Sequence, residues 1–133
     1  MALERAQVEL INQIATDIVS TALQIHKRVG PGMFETVYEG LLARDLSNLG
    51  HRVERQKAFP LVLEGLAFDE AFRADLVVDD AVIIEVKSVS AFAPAHEKQL
   101  LTYLRVLDYR LGFLLNFGGA YMKDGIRRLA NRL

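Results

Sequence analysis

The chain has 133 residues, 51% of them hydrophobic and 25% charged, and its formal net charge of -1 does not by itself indicate a nucleic-acid-binding protein. The absence of cysteine excludes disulfides, thiolate zinc sites and cysteine nucleophiles. No apolar run is long enough to cross a membrane and no signal-peptide pattern is present, so we expect one cytoplasmic domain over residues 1–133 without a membrane partner.

Two helices are predicted within the first 50 residues. Apolar residues recur at intervals of three and four over residues 3–28, which predicts an amphipathic helix that ends before Gly30, Pro31 and Gly32. A second helix is predicted over residues 34–48, with a glycine just beyond it to end it.

From residue 51 onward the hydrophobic pattern changes to that of strands. Three consecutive strands are predicted, over residues 52–63, 66–78 and 82–89. A third helix is predicted over 95–107, with Pro94 in its first turn, and a fourth strand over 111–117. The tail from residue 121 is compatible with either a strand or a short helix. This order, α-α-β-β-β-α-β, predicts an α/β fold with a mixed four-stranded sheet flanked by helices, because the last strand returns through a helical crossover.

The second and third strands carry a cluster of charged residues. Glu85 and Lys87 lie two apart on a strand and therefore point to one face. A three-residue turn over 79–81 places Asp75 opposite Glu85 and Arg73 opposite Lys87, whereas a two-residue turn puts the two carboxylates on opposite faces. Charges among branched apolar residues are costly without partners or a metal, so we expect the three-residue turn.

Asp75, Glu85 and the Val86 backbone carbonyl would form an all-oxygen site that suits Mg²⁺ or Mn²⁺. A bound metal activates water and stabilises charge on a phosphoryl oxygen, and Lys87 beside it could orient the water or stabilise the transition state. The alternative is an ordinary surface hairpin whose Glu-Lys pair has no catalytic role. Arg73 on the same face is a candidate for contacting a substrate phosphate.

Two helical pairs could complete this site. Glu35 and Tyr38 are three apart, so they share a face of the second helix, and Glu35 could hold metal-bound water. The alternative is that Glu35 only complements the helix dipole in the first turn. Gln99 and Tyr103 share a face of the third helix and could position substrate, or could be a polar helix edge. His96 is expected to be a capping or solvent-facing residue rather than a ligand.

The spacing of Gly32, Glu35 and Tyr38 resembles the signature of the GxxExxY protein family. The resemblance extends along nearly the whole chain, through the segments His26 to Gly32, Glu54-Arg55-Gln56, Arg73-Ala74-Asp75-Leu76, Glu85-Val86-Lys87, Gln99 to Tyr103 and Asn116-Phe117-Gly118. That family is similar to the PD-(D/E)XK nucleases. The chain has Ala74 where the superfamily pattern has a proline.

The resemblance implies roles for individual residues. Asp75 corresponds to the metal-binding aspartate, Glu85 and Lys87 to the Glu-x-Lys pair, and Glu35 to the helical acidic residue. Gln99 and Tyr103 resemble the Gln-x-x-x-Tyr motif of exonuclease-type members. It therefore implies a Mg²⁺- or Mn²⁺-dependent nuclease that acts on nucleic acid, in the first place DNA.

Three hypotheses remain open at this stage. The first is a nuclease that hydrolyses phosphodiesters through a metal-activated water. The second is a non-catalytic nucleic-acid- or protein-binding module that retains the fold, which the near-neutral charge favours and the complete set of carboxylates and lysine disfavours. The third is a subunit that acts within a homodimer or a larger complex. The residues do not distinguish DNA from RNA, nor endonucleolytic from exonucleolytic cleavage.

Overall fold

In a computed structural model of the protein, which describes residues 2–133, three long helices pack on the two faces of one sheet. The helices are α1 (Ala2–Val29), α2 (Glu35–Asn48) and α3 (Pro94–Leu107). The strands are β1 (Val53–Leu63), β2 (Leu66–Val78), β3 (Val82–Lys87), β4 (Leu111–Asn116) and β5 (Ile126–Ala130). No helix in this described range combines the length and the apolar character needed to span a membrane.

The five strands lie in the sheet in the order in which they occur along the chain. Neighbouring strands are antiparallel except β3 and β4, which are parallel and are joined by the crossover helix α3. The predicted α/β fold class is confirmed. The sheet has one strand more than the four predicted, because the tail, which the sequence left open, forms β5 and pairs with β4.

The sheet separates two apolar cores. On one face α1 and α2 cover the alternating residues Val82, Ile84 and Val86 of β3. On the other face Leu100 and Leu104 of α3 pack against Val77, Ile83 and their neighbours. Burial of each of these aliphatic side chains contributes about 1.5–3 kcal/mol to the stability of the fold. Strand β3 is apolar on both faces over its first half. Its charged residues lie at its other end, where the α3 face is less fully covered.

Two polar contacts close the end of β3 and β4. The Asn116 side chain accepts a hydrogen bond from the Val89 N–H and donates one to the Val89 carbonyl, both at 3.0 Å, so it extends the parallel pairing beyond Lys87 and Asn116. Gly118 lies against this segment, and a Cβ atom there would stand 2.2 Å from the Val89 carbonyl oxygen. Only glycine therefore fits at this position.

His51 connects α1 to the turn between β2 and β3. Its Nδ1 lies 2.6 Å from Asp79 Oδ2 and its Nε2 lies 2.7 Å from Asp17 Oδ2. Burial lowers the pKa of His51, but the hydrogen bonds and charges of Asp79 and Asp17 outweigh burial and leave that pKa raised. A protonated His51 thus stabilises the packing of α1 on the sheet.

The β1–β2 hairpin changes register at Pro60. Phe59 pairs with Phe72 and Leu61 pairs with Phe68, so β2 passes through residues 69–71 where β1 passes through Pro60 alone. Proline has no N–H to give to a ladder and is tolerated in a strand at such an irregularity.

Candidate active site

Strands β2 and β3 adopt the register that the carboxylates require. Val78 pairs with Val82 and Leu76 pairs with Ile84, which leaves residues 79–81 as the connection. This is the predicted three-residue turn. Extending the register by one residue places Asp75 opposite Glu85.

The β2–β3 ladder opens at Asp75. Backbone pairing stops at Leu76 and Ile84, and the Val86 N–H donates to Asp75 Oδ2 at 2.8 Å instead of to a backbone carbonyl of β2. Because the N–H and C=O of one strand residue point to the same neighbouring strand, the Val86 carbonyl also faces this opening. The opening brings a carboxylate and a backbone carbonyl together.

Glu85 completes the opening with a second carboxyl group. Burial, and then the adjacent charge and hydrogen-bonding contact of Asp75, together raise the pKa of Glu85 to about 9. Lys87 and the Asp75 backbone act in the opposite direction but do not compensate. Without a cation Glu85 therefore keeps its proton at neutral pH. A divalent cation would allow both carboxyl groups to ionise, and two carboxylates with a carbonyl are the hard oxygen donors that Mg²⁺ and Mn²⁺ prefer.

Lys87 follows Glu85 on the same strand and is half-buried. Its ammonium group lies close enough to lower the pKa of Glu85 by charge attraction. The predicted Glu-x-Lys arrangement thus places a positive charge beside Glu85.

Glu35 lies at the end of β3 rather than within the carboxylate pair. Its Oε2 accepts a hydrogen bond from the Ser88 N–H at 3.2 Å, and the Ser88 hydroxyl donates to the Met33 carbonyl at 2.8 Å. The Tyr38 hydroxyl donates to the Gly30 carbonyl at 2.6 Å and accepts from the Met33 N–H at 3.1 Å. Tyr38 therefore fixes the loop that precedes Glu35, and Glu35 itself lies over the strand end.

A comparison with protein-family models matches residues 12–129 to the PD-(D/E)XK nuclease superfamily. The protein belongs to this superfamily. No curated protein and no solved structure is significantly similar to the chain. PD-(D/E)XK nucleases generally use divalent metals, and the fold brings Asp75, Glu85 and Lys87 of this chain together. Within residues 2–133 no three acidic or histidine side chains converge into a ready metal cage.

The helix motif of this PD-(D/E)XK protein makes its contacts internally. Gln99 Nε2 donates to the Tyr103 hydroxyl at 2.9 Å, and the Tyr103 ring stacks on Phe72 with centroids 3.5 Å apart. The pair lies at a partly exposed edge of α3. His96 Nδ1 accepts from the Ala93 N–H at 3.3 Å, so His96 caps the helix as the sequence predicted.

The position of Arg73 opposite Lys87 stays a prediction, because the backbone pairing of β2 with β3 ends at Leu76 and Ile84. On its other side Arg73 pairs with Ala58 of β1. Its guanidinium holds Glu70 at 2.6 and 2.8 Å and the Gln56 carbonyl at 2.9 Å. An arginine bonded in this way has little freedom to meet a phosphate.

Two residues next to the site were not predicted. Glu39 on α2 is only 5% exposed and binds the Arg55 guanidinium at 2.9 Å. Gln56 Nε2 donates to Glu39 Oε1 at 2.5 Å and to Asp75 Oδ1 at 3.2 Å. Glu39 follows Glu35 by four residues on the same helix, and that spacing could have indicated a second carboxylate facing the site.

Proposed function

We propose that the protein is a divalent-metal-dependent nuclease that hydrolyses phosphodiester bonds of nucleic acid, in the first place DNA, with residues 1–133 acting as one domain. The observation that carries the proposal is the contact of Asp75 and Glu85 where the β2–β3 ladder opens. These two carboxylates and the Val86 carbonyl would hold Mg²⁺ or Mn²⁺, with Glu35 contributing through water. When bound, the metal would lower the pKa of a water molecule and stabilise charge on a phosphoryl oxygen.

The remaining residues have roles that do not depend on ligating the metal. Lys87 places its ammonium charge where negative charge develops on the phosphoryl group. Gln99 and Tyr103 present an amide and a hydroxyl at a partly exposed edge, where they would position substrate. We also assign the chain to the GxxExxY family, because Gly32, Glu35 and Tyr38 have its spacing and Tyr38 anchors the loop before Glu35.

Three proteins test this function. Wild type should bind Mn²⁺ in calorimetry and cleave labelled DNA or RNA, whereas Asp75→Asn should lose both properties. Lys87→Ala should keep the metal, because lysine is not a ligand, and should lower the cleavage rate by about two to four orders of magnitude. Lys27→Ala, which removes an exposed lysine of α1, is the matched control and should behave as wild type. Equal Mn²⁺ affinity in wild type and Asp75→Asn would refute the metal assignment.

The pairing of basic side chains favours a second candidate, a binding module without catalysis. Arg55 is paired with Glu39, Arg73 with Glu70 and Lys57 with Glu54, so little free positive charge surrounds the opening. Each phosphate contact steepens the dependence of log affinity on log salt by about 0.9 for duplex DNA. Nucleic-acid binding that does not depend on salt would favour the binding module. So would nucleic-acid binding that Asp75→Asn leaves intact while no protein shows cleavage.

A homodimer would lengthen the surface available to a duplex, and sedimentation with and without DNA tests it.

A further inference from the structure

Gln56 links two acidic residues that come from different layers of the fold. It lies on β1 between the pairs Arg55–Leu76 and Lys57–Ala74, directly alongside Asp75. Its amide nitrogen donates to Asp75 Oδ1 at 3.2 Å and to Glu39 Oε1 at 2.5 Å. A primary amide carries two N–H groups, so one can serve each carboxylate.

The Gln56 bond completes the restraint on the Asp75 carboxylate. Asp75 Oδ2 is held by the Val86 N–H at 2.8 Å, and Oδ1 is held by Gln56. Two bonds to different oxygens fix the rotation of the carboxylate about its Cβ–Cγ bond. Each oxygen keeps a further lone pair for a cation, because an ionised carboxylate has about four acceptor sites.

Glu39, the second carboxylate that Gln56 bonds, is itself held in place. Glu39 is buried, and the Arg55 guanidinium donates to its Oε2 through Nε at 3.2 Å and Nη2 at 2.9 Å. A buried carboxylate with a paired arginine is a rigid acceptor, because the loss of either partner would leave an uncompensated charge. Gln56 therefore transmits the position of helix α2 to Asp75.

The Gln56 backbone is held in a conformation that its side chain does not favour. Its φ of +50° lies inside a strand, and the Arg73 guanidinium bonds its carbonyl at 2.9 Å. A non-glycine residue in the left-handed region is strained unless its surroundings hold it there. The residue with the strained backbone is thus the same residue whose side-chain amide bonds two carboxylates.

We propose that Gln56 is a positioning residue, anchored by Glu39 and Arg55, that holds Asp75 in the orientation in which it takes a divalent metal. The part of this inference that concerns metal binding rests on the proposed function, whereas the positioning of Asp75 by Gln56 does not. Gln56 touches neither the metal nor the substrate; it acts through Asp75. Partners of this kind, which bond a metal ligand, typically change metal affinity by about 10–100-fold when removed.

The first test uses metal-free protein. Gln56→Gly removes the amide but suits a positive φ, so it should still fold. Released from Gln56, Asp75 should hold the Val86 N–H less firmly, and hydrogen exchange of that amide, followed by NMR, should speed up about tenfold. Glu64→Gly is the matched control, because Glu64 also has a φ of +50° but lies in the β1–β2 turn. Unchanged exchange at Val86 in Gln56→Gly would overturn the proposal.

The second test measures Mn²⁺ affinity by calorimetry. Gln56→Gly, and also Gln56→Asn, whose amide is one methylene too short to span both carboxylates, should bind Mn²⁺ about 10–100-fold more weakly than wild type and Glu64→Gly. High Mn²⁺ should then restore cleavage, as expected for a residue that acts on affinity. Equal affinity in all four proteins would overturn the positioning role. If wild type binds no Mn²⁺ at all, the proposed nuclease fails, whereas the Val86 exchange result still decides the role of Gln56.

Discussion

Replacing Glu85 by glutamine should stabilise the metal-free protein, and the stabilisation should grow with pH. Burial and the neighbouring Asp75 raise the pKa of Glu85 from 4.5 to about 9. A raised pKa means that the folded state keeps a proton that the unfolded chain releases, so stability is complete below pH 4.5 and is lost as pH rises toward 9. Glutamine is neutral throughout and can still donate an N–H to Asp75, so it escapes this loss.

The size of the effect follows from the same values. Between pH 4.5 and pH 7 the difference is worth about 1.4 kcal/mol per pH unit, which gives an upper value of about 3.4 kcal/mol at pH 7. Because Glu85 is partly exposed, solvent screens its interactions, and we expect a gain of about 1–3 kcal/mol. The gain should vanish near pH 4.5 and level off above pH 9.

Urea unfolding followed by circular dichroism, at pH 5, 6, 7 and 8 with a chelator present, measures this difference. Glu64→Gln, an exposed carboxylate in the β1–β2 turn, is the control and should show no such rise. A difference between Glu85→Gln and wild type that stays flat from pH 5 to 8 would show that the folded protein does not raise the pKa of Glu85. The same variant should bind Mn²⁺ more weakly. The natural carboxylate would then lower stability but serve metal binding.

Three further outcomes follow. Mn²⁺ binding should release about one proton at pH 7, so affinity should rise about tenfold per pH unit until Glu85 ionises by itself, and calorimetry in two buffers of different ionisation enthalpy measures this number. His51→Gln should be less stable than wild type at low pH, where His51 is protonated, and this difference should disappear as pH rises through the raised pKa of His51. Urea unfolding between about pH 6 and 8 measures the difference. Gly118→Ala should cost at least about 2 kcal/mol, read from the thermal midpoint, because its Cβ would stand 2.2 Å from the Val89 carbonyl oxygen; an unchanged midpoint would contradict that packing.

The sequence determined the site best where chemistry and periodicity agreed. Two carboxylates among buried apolar residues are costly unless they lie together and share a partner or a metal. That requirement selected the three-residue turn, which the pairing of Val78 with Val82 confirms. The long helices and strands were predicted to within one or two residues of their observed ends, because their apolar patterns are regular. Strand β5 was harder, since five residues with two adjacent arginines show no clear alternation.

What the sequence could not show lies where the regular patterns stop. The prediction for Arg73 assumed that the β2–β3 ladder continues past Asp75, but the aspartate side chain itself ends the ladder by taking the Val86 N–H. Gln56 was hidden for a similar reason, because a left-handed residue inside a strand leaves no mark in a hydrophobic pattern. Both departures occur beside the carboxylates of the proposed metal site, and departures from local preferences are expected at functional sites.

The register change at Pro60 has a consequence for how molecules of this protein meet one another. Strand β1 lies at the end of the sheet, so one side of it faces no other strand within residues 2–133. Such a side can recruit a strand from another molecule and start aggregation, the more readily because Val62, Leu63 and Leu66 at the hairpin tip are exposed. Pro60 cannot donate a backbone N–H, and the shift at its position breaks the regular spacing that a foreign strand would have to match. The irregularity thus protects the long hairpin from pairing between molecules.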